Sequence, residues 1–184
     1  PITEGHPVAP VDIYSANKAV AEHYCRIYAR AYDMAVNSVR LPNVYGPRAN
    51  IDSPDFGFIN FFFGLALHDQ PLTIFGDGDQ LRSVLYVQDA ITALALAAQT
   101  DLHGQIWFAG NERSVSVRHL AETIVTACGS GSVIQVNWPD DRKRIDVGNI
   151  IIDSSQIQSD LGWQALVNLD DGMQEMVRYF QGEA

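Results

Sequence analysis

Lysine is nearly missing from this chain: only Lys18 and Lys143 occur in 184 residues, and 12 basic residues in all face 22 acidic ones, for a formal net charge of −10. That balance argues against a general affinity for nucleic acid or an anionic membrane, so any anionic ligand must be held by local groups. Cysteine is equally scarce. Cys25 and Cys128 form no CxxC pattern and have no His at ligand spacing, which predicts two buried thiols in a reducing cytoplasm. No apolar run approaches the ~20 residues of a membrane span. The longest, Phe56 to Leu67, is interrupted by Asn60 and stopped by His68-Asp69. No secretory signal is visible. The five His (6, 23, 68, 103 and 119) are scattered, and His119-x-x-Glu122 alone is a partial site, so no metal is expected. A Gly-x-Ser-x-Gly elbow is absent, which removes the support for a Ser/His/Asp hydrolase. The Gly-x-Gly matches are Gly76-Asp77-Gly78, which reads as a hairpin turn, and Gly129-Ser130-Gly131, which reads as a helix C-cap. Neither suits a pyrophosphate cradle, so if a dinucleotide is used, its main binding loop lies outside this chain.

What remains is an ordinary globular composition, 47% hydrophobic and 18% charged, enough for one domain plus a small lobe. Pro1, Pro7 and Pro10 make residues 1–12 a loop. The chain opens without a Met, directly before a catalytic-looking helix, and is expected to be the C-terminal part of a longer protein. Asp12 N-caps a helix from Ile13 to Tyr32. On it Ala16, Val20, Tyr24, Ile27 and Ala31 form one apolar stripe, while Tyr14, Lys18, Ala21 and Cys25 form a second face. Strands are expected at Ala35–Leu41, Leu72–Phe75, Gln80–Val87, Gln105–Ala109, Val133–Asn137 and Ile150–Ile152. Helices are expected over Phe56–His68, from Asp89 as cap to Gln99, over Ser116–Cys128, through Leu161 and over Leu169–Phe180. Pro42 to Arg48 reads as the loop leaving the first strand, and Pro139 to Asp146 as a polar segment. Strands alternating with helices make the class α/β.

Tyr14 and Lys18 lie one helical turn apart and therefore point the same way. A tyrosine ordinarily titrates near pH ~10, and a nearby cation favours its phenolate, so the pair is a plausible proton-transfer device. With seven Tyr and two Lys, the spacing alone reads equally well as a solvated helix face. Arg40, Arg48, Arg82 and Arg144 each fall at or beside a strand end. Arginine's planar fork suits diphosphate, and two or three converging would make a local anion site.

Four stretches in order carry a resemblance: Tyr14-Ser-Ala-Asn-Lys18, then Arg40-Leu-Pro-Asn43-Val-Tyr-Gly-Pro-Arg48, then Ile74-Phe-Gly-Asp-Gly78-Asp-Gln-Leu-Arg82-Ser-Val-Leu-Tyr86-Val-Gln-Asp89, and Leu161-Gly-Trp163. Together they resemble the extended short-chain dehydrogenase/reductases, in the nucleotide-sugar epimerase/dehydratase branch. The resemblance implies the C-terminal part of a Rossmann-type parallel sheet plus a small α/β substrate-binding lobe, with the N-terminal cofactor-binding half absent. It implies Tyr14 as catalytic acid or base and Lys18 as its partner on the nicotinamide ribose of NAD or NADP, with Leu41 and Pro42 near the nicotinamide. For the nucleotide-sugar substrate it implies Asn43 at the diphosphate or sugar, Phe58, Ile74 and Phe75 around the base, Arg82 on the diphosphate, and Arg144 as a weaker second arginine. The family's Gly-rich loop and its catalytic Ser/Thr precede the tyrosine, and only thirteen residues do so here. The implied activity of the complete protein is a UDP-glucose 4-epimerase-like reaction through a 4-keto sugar, with a 4,6-dehydratase as the alternative and this portion expected to be inactive alone. A non-catalytic nucleotide-sugar binding module that self-associates to cover its open strand edges is the reading from another class. A homo-oligomer, as a dimer, is expected.

Overall fold

The structure is a computed structural model that describes residues 1–140, 143 and 146–182. In chain order the first half contains α1 (Ile13–Tyr32), β1 (Ser38–Arg40), β2 (Asn43–Tyr45), a 3-10 turn (Pro54–Phe56), α2 (Phe58–Leu67), β3 (Pro71–Phe75), β4 (Leu81–Arg82) and β5 (Val84–Tyr86). Then come α3 (Val87–Gln99), β6 (Ile106–Phe108), β7 (Val115–Ser116), α4 (Val117–Cys128), β8 (Ser132–Val136), α5 (Ser155–Leu161) and α6 (Leu169–Phe180). Arg144 lies outside the described residues.

Helix α1 starts where its sequence says it should. The Asp12 carboxylate accepts from Ser15 N at 2.7 Å, and Asp12 N donates back to Ser15 Oγ at 3.2 Å, a reciprocal cap on both orphan donors. Those hydrogen bonds from Ser15, side chain first, hold the Asp12 carboxyl below its usual range. Asp33, left-handed at φ 51°, ends the helix. No residue of α1 is buried. Its apolar stripe faces outward, with Val20, Tyr24 and Ile27 all about half exposed, and the half-buried positions are Ser15, Ala16, Ala19, Glu22, Cys25 and Ala29. A 3.6-residue period marks an amphipathic face without saying what covers it.

Among the described residues strands pair in four ladders: β1 with β6, β2 with β5 and β3 with β8, all parallel, and β4 with β7 antiparallel. Five sequence expectations change here. The expected hairpin at Gly76–Asp79 does not join β3 to the next strand, because β3 takes its partner from β8 and β4 takes β7. The expected loop after Leu41 contains β2: Pro42 lacks the N–H to continue β1, and Val44-Tyr45 then align with Leu85-Tyr86. Residues 1–12 are tied down at their start, where Ile2 bridges Ile152 in parallel and the Glu4 carboxylate accepts from Phe108 N at 2.7 Å. The expected strand at 150–152 is reduced to that bridge. Asp89, expected to cap α3, is instead buried in its first turn, and Tyr86 is the cap residue. Its Oδ2 accepts from Leu166 N at 3.2 Å and Val167 N at 3.0 Å, fastening the segment between α5 and α6.

Two apolar cores result. The larger joins Ile59, Phe63 and Ala66 of α2, Leu72 and Ile74 of β3, Leu120 and Ile124 of α4, and Met173 and Met176 of α6. The smaller joins Ala90, Ala93 and Ala97 of α3 with Trp107, Ala109, Ile157 and Trp163. The β2–β5 ladder separates them. Successive strand residues point to opposite faces, so Tyr45 and Val84 enter the larger core while Val44 and Leu85 enter the smaller. Closure on the larger side needs Gly172, since a Cβ there would lie 2.4 Å from the Tyr45 hydroxyl.

Candidate active site

Two cavities gather the residues that the sequence singled out. The first, about 660 Å³, lies between α1 and the end of β1 and is lined by Tyr14, Lys18, Ala21 and Cys25 from the helix and by Leu41 and Pro42 from the strand exit. It sits outside the carboxyl end of a parallel strand, where open α/β sheets bind ligands. Tyr14 is 71% exposed, and the Lys18 ammonium stands 5.4 Å from the centroid of its ring, within cation–π range. Ser15 is engaged with Asp12 and not with the phenol.

Arg40 is committed elsewhere. Its Nε and Nη2 donate to the two Glu22 carboxylate oxygens at 2.7 and 2.8 Å, and its guanidinium lies 5.1 Å over the Phe108 ring. The expectation that Arg40 could join an anion site therefore fails: it anchors α1 to the sheet. The Arg40 hydrogen bonds hold the Glu22 carboxyl below its usual value, while the same bonds raise the Arg40 guanidinium.

The second cavity, about 470 Å³, is lined by Phe58, Phe61, Phe62, Ile74, Phe75, Gln80, Arg82 and Trp138, among others. Phe58 and Phe62 meet edge to face at 5.6 Å, so the wall is a built aromatic surface. Arg82 donates to the carbonyls of Leu81 and Gly148 and pairs with Asp146 at 3.2 Å, which fixes the direction of its fork. Asn43 lines neither cavity; its amide donates to Ser83 O at 3.3 Å and ties β2 to the start of β5. Arg48 is exposed in a left-handed turn at φ 67° beside a separate groove. Trp138 and Gln80 were missed from sequence. The signal that was available is a lone tryptophan at a strand exit, obscured by the charged run that follows it.

Both cysteines, expected to be buried, are only half-buried, and partial burial pushes the Cys128 thiol up to about 11. Among the described residues no three of His, Cys, Asp and Glu are grouped to hold a metal ion, and no helix is long and apolar enough to cross a membrane.

Parallel strand ladders packed with helices, with the Tyr14–Lys18 pair at a strand's carboxyl end, fit a Rossmann-type protein of the short-chain dehydrogenase/reductase class. The chain belongs to its extended, nucleotide-sugar epimerase/dehydratase branch, matching the GDP-mannose 4,6 dehydratase family over residues 1–176. It is 29% identical over 184 residues to a UDP-glucose 4-epimerase of Mycolicibacterium smegmatis, covering 100% of this chain and 58% of that protein. Among solved structures, a Thermotoga maritima UDP-glucose 4-epimerase with UDP-glucose superposes with a TM-score of 0.84 at 27% identity, over 95% of this chain and 55% of that one. A Streptomyces venezuelae dTDP-glucose 4,6-dehydratase with NAD bound gives 0.83 at 28% identity, over 98% and 54%. The chain thus spans little more than half the length of these relatives.

Proposed function

We propose that this chain is the C-terminal portion of an NAD(P)-dependent nucleotide-sugar epimerase, comprising the end of the Rossmann domain interleaved with a substrate lobe, and that it acts through a 4-keto sugar. One observation carries the reading: Tyr14, Lys18, Leu41 and Pro42 line a single cavity, in a chain whose relatives are epimerases and dehydratases. Tyr14, Lys18, Leu41 and Pro42 would hold the nicotinamide end of NAD or NADP, whose main phosphate loop lies outside these residues. That group supplies the hydride acceptor when bound. Tyr14 takes the proton of the sugar 4-hydroxyl as its C–H bond is oxidised to the ketone, and returns it when the ketone is reduced from the other face. Lys18, over the Tyr14 ring, would hold the nicotinamide ribose.

In the second cavity, Phe58, Ile74 and Phe75 surround the base and Arg82 takes the diphosphate, while Asn43 steadies the strand from which substrate is approached. A 4,6-dehydratase is the second reading, favoured by the dehydratase relative at 28% identity. The protein works in the cytoplasm, where Cys25 and Cys128 stay thiols, and it dimerises through the outward stripe of α1, with Val20, Tyr24, Ile27 and Tyr28 meeting a second copy.

Calorimetry tests the reading. UDP should bind this chain, and Arg82→Ala should weaken it about 10- to 100-fold, the equivalent of one charge-assisted hydrogen bond. Undiminished affinity in that variant removes Arg82 from the diphosphate, and an absence of UDP binding removes the substrate assignment. Tight NAD binding by this chain alone would contradict the placement of the main cofactor loop outside it.

A further inference from the structure

Two of the three tryptophans are core residues with satisfied indoles. Trp107 donates to Asp160 at 2.8 Å and Trp163 to the Asp89 carbonyl at 3.0 Å, and the two are 0% and 2% exposed. Trp138 differs from both. It follows β8, is half-buried, and borders the aromatic cavity, with no acceptor for its N–H among the described residues. Two neighbours hold it there. Its ring lies 5.4 Å from that of Phe75 at a tilt of 41°. Against its nitrogen edge is the bare Cα of Gly76, left-handed at φ +60°, where a Cβ would come within 2.5 Å of the indole nitrogen. Glycine is thus needed at 76 both for the turn and for the indole's seat.

A large aromatic held by its neighbours at the wall of a cavity, with no core role, is a preformed stacking surface. The rest of the lining says what stacks on it. Beside the phenylalanines, Gln80 offers an amide donor and acceptor together, and Arg82, its fork oriented by Asp146, is the one cation among the described lining residues. A neutral heteroaromatic ring joined to an anion matches that order of groups. We propose that Trp138 is the platform on which the base of a nucleoside diphosphate stacks, with Phe75 setting the indole's tilt and Gln80 meeting the base edge. This rests on the nucleotide-sugar reading above and assigns to that site a residue outside its sequence motifs.

Because Trp107 and Trp163 sit in the smaller core, away from the cavity lining, ligand-induced change in tryptophan fluorescence reports Trp138. Titration of the chain with UDP should quench the emission, and Trp138→Ala should abolish the quench and weaken UDP about 5- to 150-fold by calorimetry, the range for losing one base–aromatic stack. Trp138→Phe, which keeps a ring, should bind UDP within about fivefold of the parent, so that loss in the alanine variant reads as lost stacking and not as damage to the fold. UDP binding that leaves the fluorescence unchanged, or equal UDP affinity in Trp138→Ala, overturns the platform and leaves the nucleotide reading standing. Failure of the parent chain to bind UDP overturns both.

Discussion

Glu22→Gln measures how α1, and with it Tyr14 and Lys18, is held to the sheet. An exposed ion pair is worth about 0–1 kcal/mol, but this one is bidentate, at 2.7 and 2.8 Å, with side chains only 20% and 13% exposed. Hydrogen bonds to charged groups contribute about 1.5–3 kcal/mol. A coupling energy of about 1.5–3 kcal/mol is therefore expected between positions 22 and 40. The assay is urea unfolding of the parent, Glu22→Gln, Arg40→Met and the double variant. The double-variant cycle cancels the separate loss of the Arg40 contact with Phe108. The pH dependence gives an independent check. Arg40 lowers the Glu22 pKa from its usual 4.5 in the folded state, so the stabilisation is complete above that value and is lost as pH falls through the lowered folded value. The gap between parent and Glu22→Gln should then be constant from about pH 7 to 5 and narrow between about 5 and 3. A coupling below about 0.5 kcal/mol, or a gap that widens on acidification, would refute the anchor.

Tyr14→Phe in the complete enzyme should remove nearly all turnover while leaving UDP affinity within about twofold; retained turnover would strip Tyr14 of its proton-transfer role. Ile27→Asp places a charge in the outward stripe of α1 and should shift the sedimentation of a dimer to that of a monomer, whereas an unchanged profile would exclude this face as the contact. Asp89→Ala removes the acceptor for two backbone N–H groups and should cost about 2–4 kcal/mol in urea unfolding. A loss under about 0.5 kcal/mol would mean that water replaces the carboxylate freely.

Local features were legible in the sequence because their causes are local. Asp12 and Ser15 cap one another three residues apart, and Gly129 closes α4 with a left-handed turn. The Tyr14–Lys18 face, Leu41 and Pro42 share a cavity because helix and strand exit are consecutive in the chain. Strand pairing was not legible in the same way. Nothing in Gly76–Asp79 reveals that β3 seeks a partner in β8 and not in the strand that follows directly. Arg40 had the chemistry of an anion ligand, and only the folded position of Glu22 shows it already engaged. Asp89 fits the profile of a cap, yet the N–H groups it accepts belong to residues 166 and 167. Trp138 was hidden because its value lies in Phe75 and Gly76 across a ladder, where no sequence period reports it.

The β2–β5 ladder, with one core on each face, governs how the molecule comes apart. Followed from β2 onward, the chain feeds the larger core, the smaller, the larger again through α4, the smaller through α5 and Trp163, and the larger through α6. No single backbone cut divides it into two pieces that each keep a whole core. Val84 and Leu85, adjacent in one strand, belong to different cores, so fraying of that strand weakens both at once. Limited proteolysis should accordingly release no stable lobe, and amide exchange in the two cores should slow and quicken together.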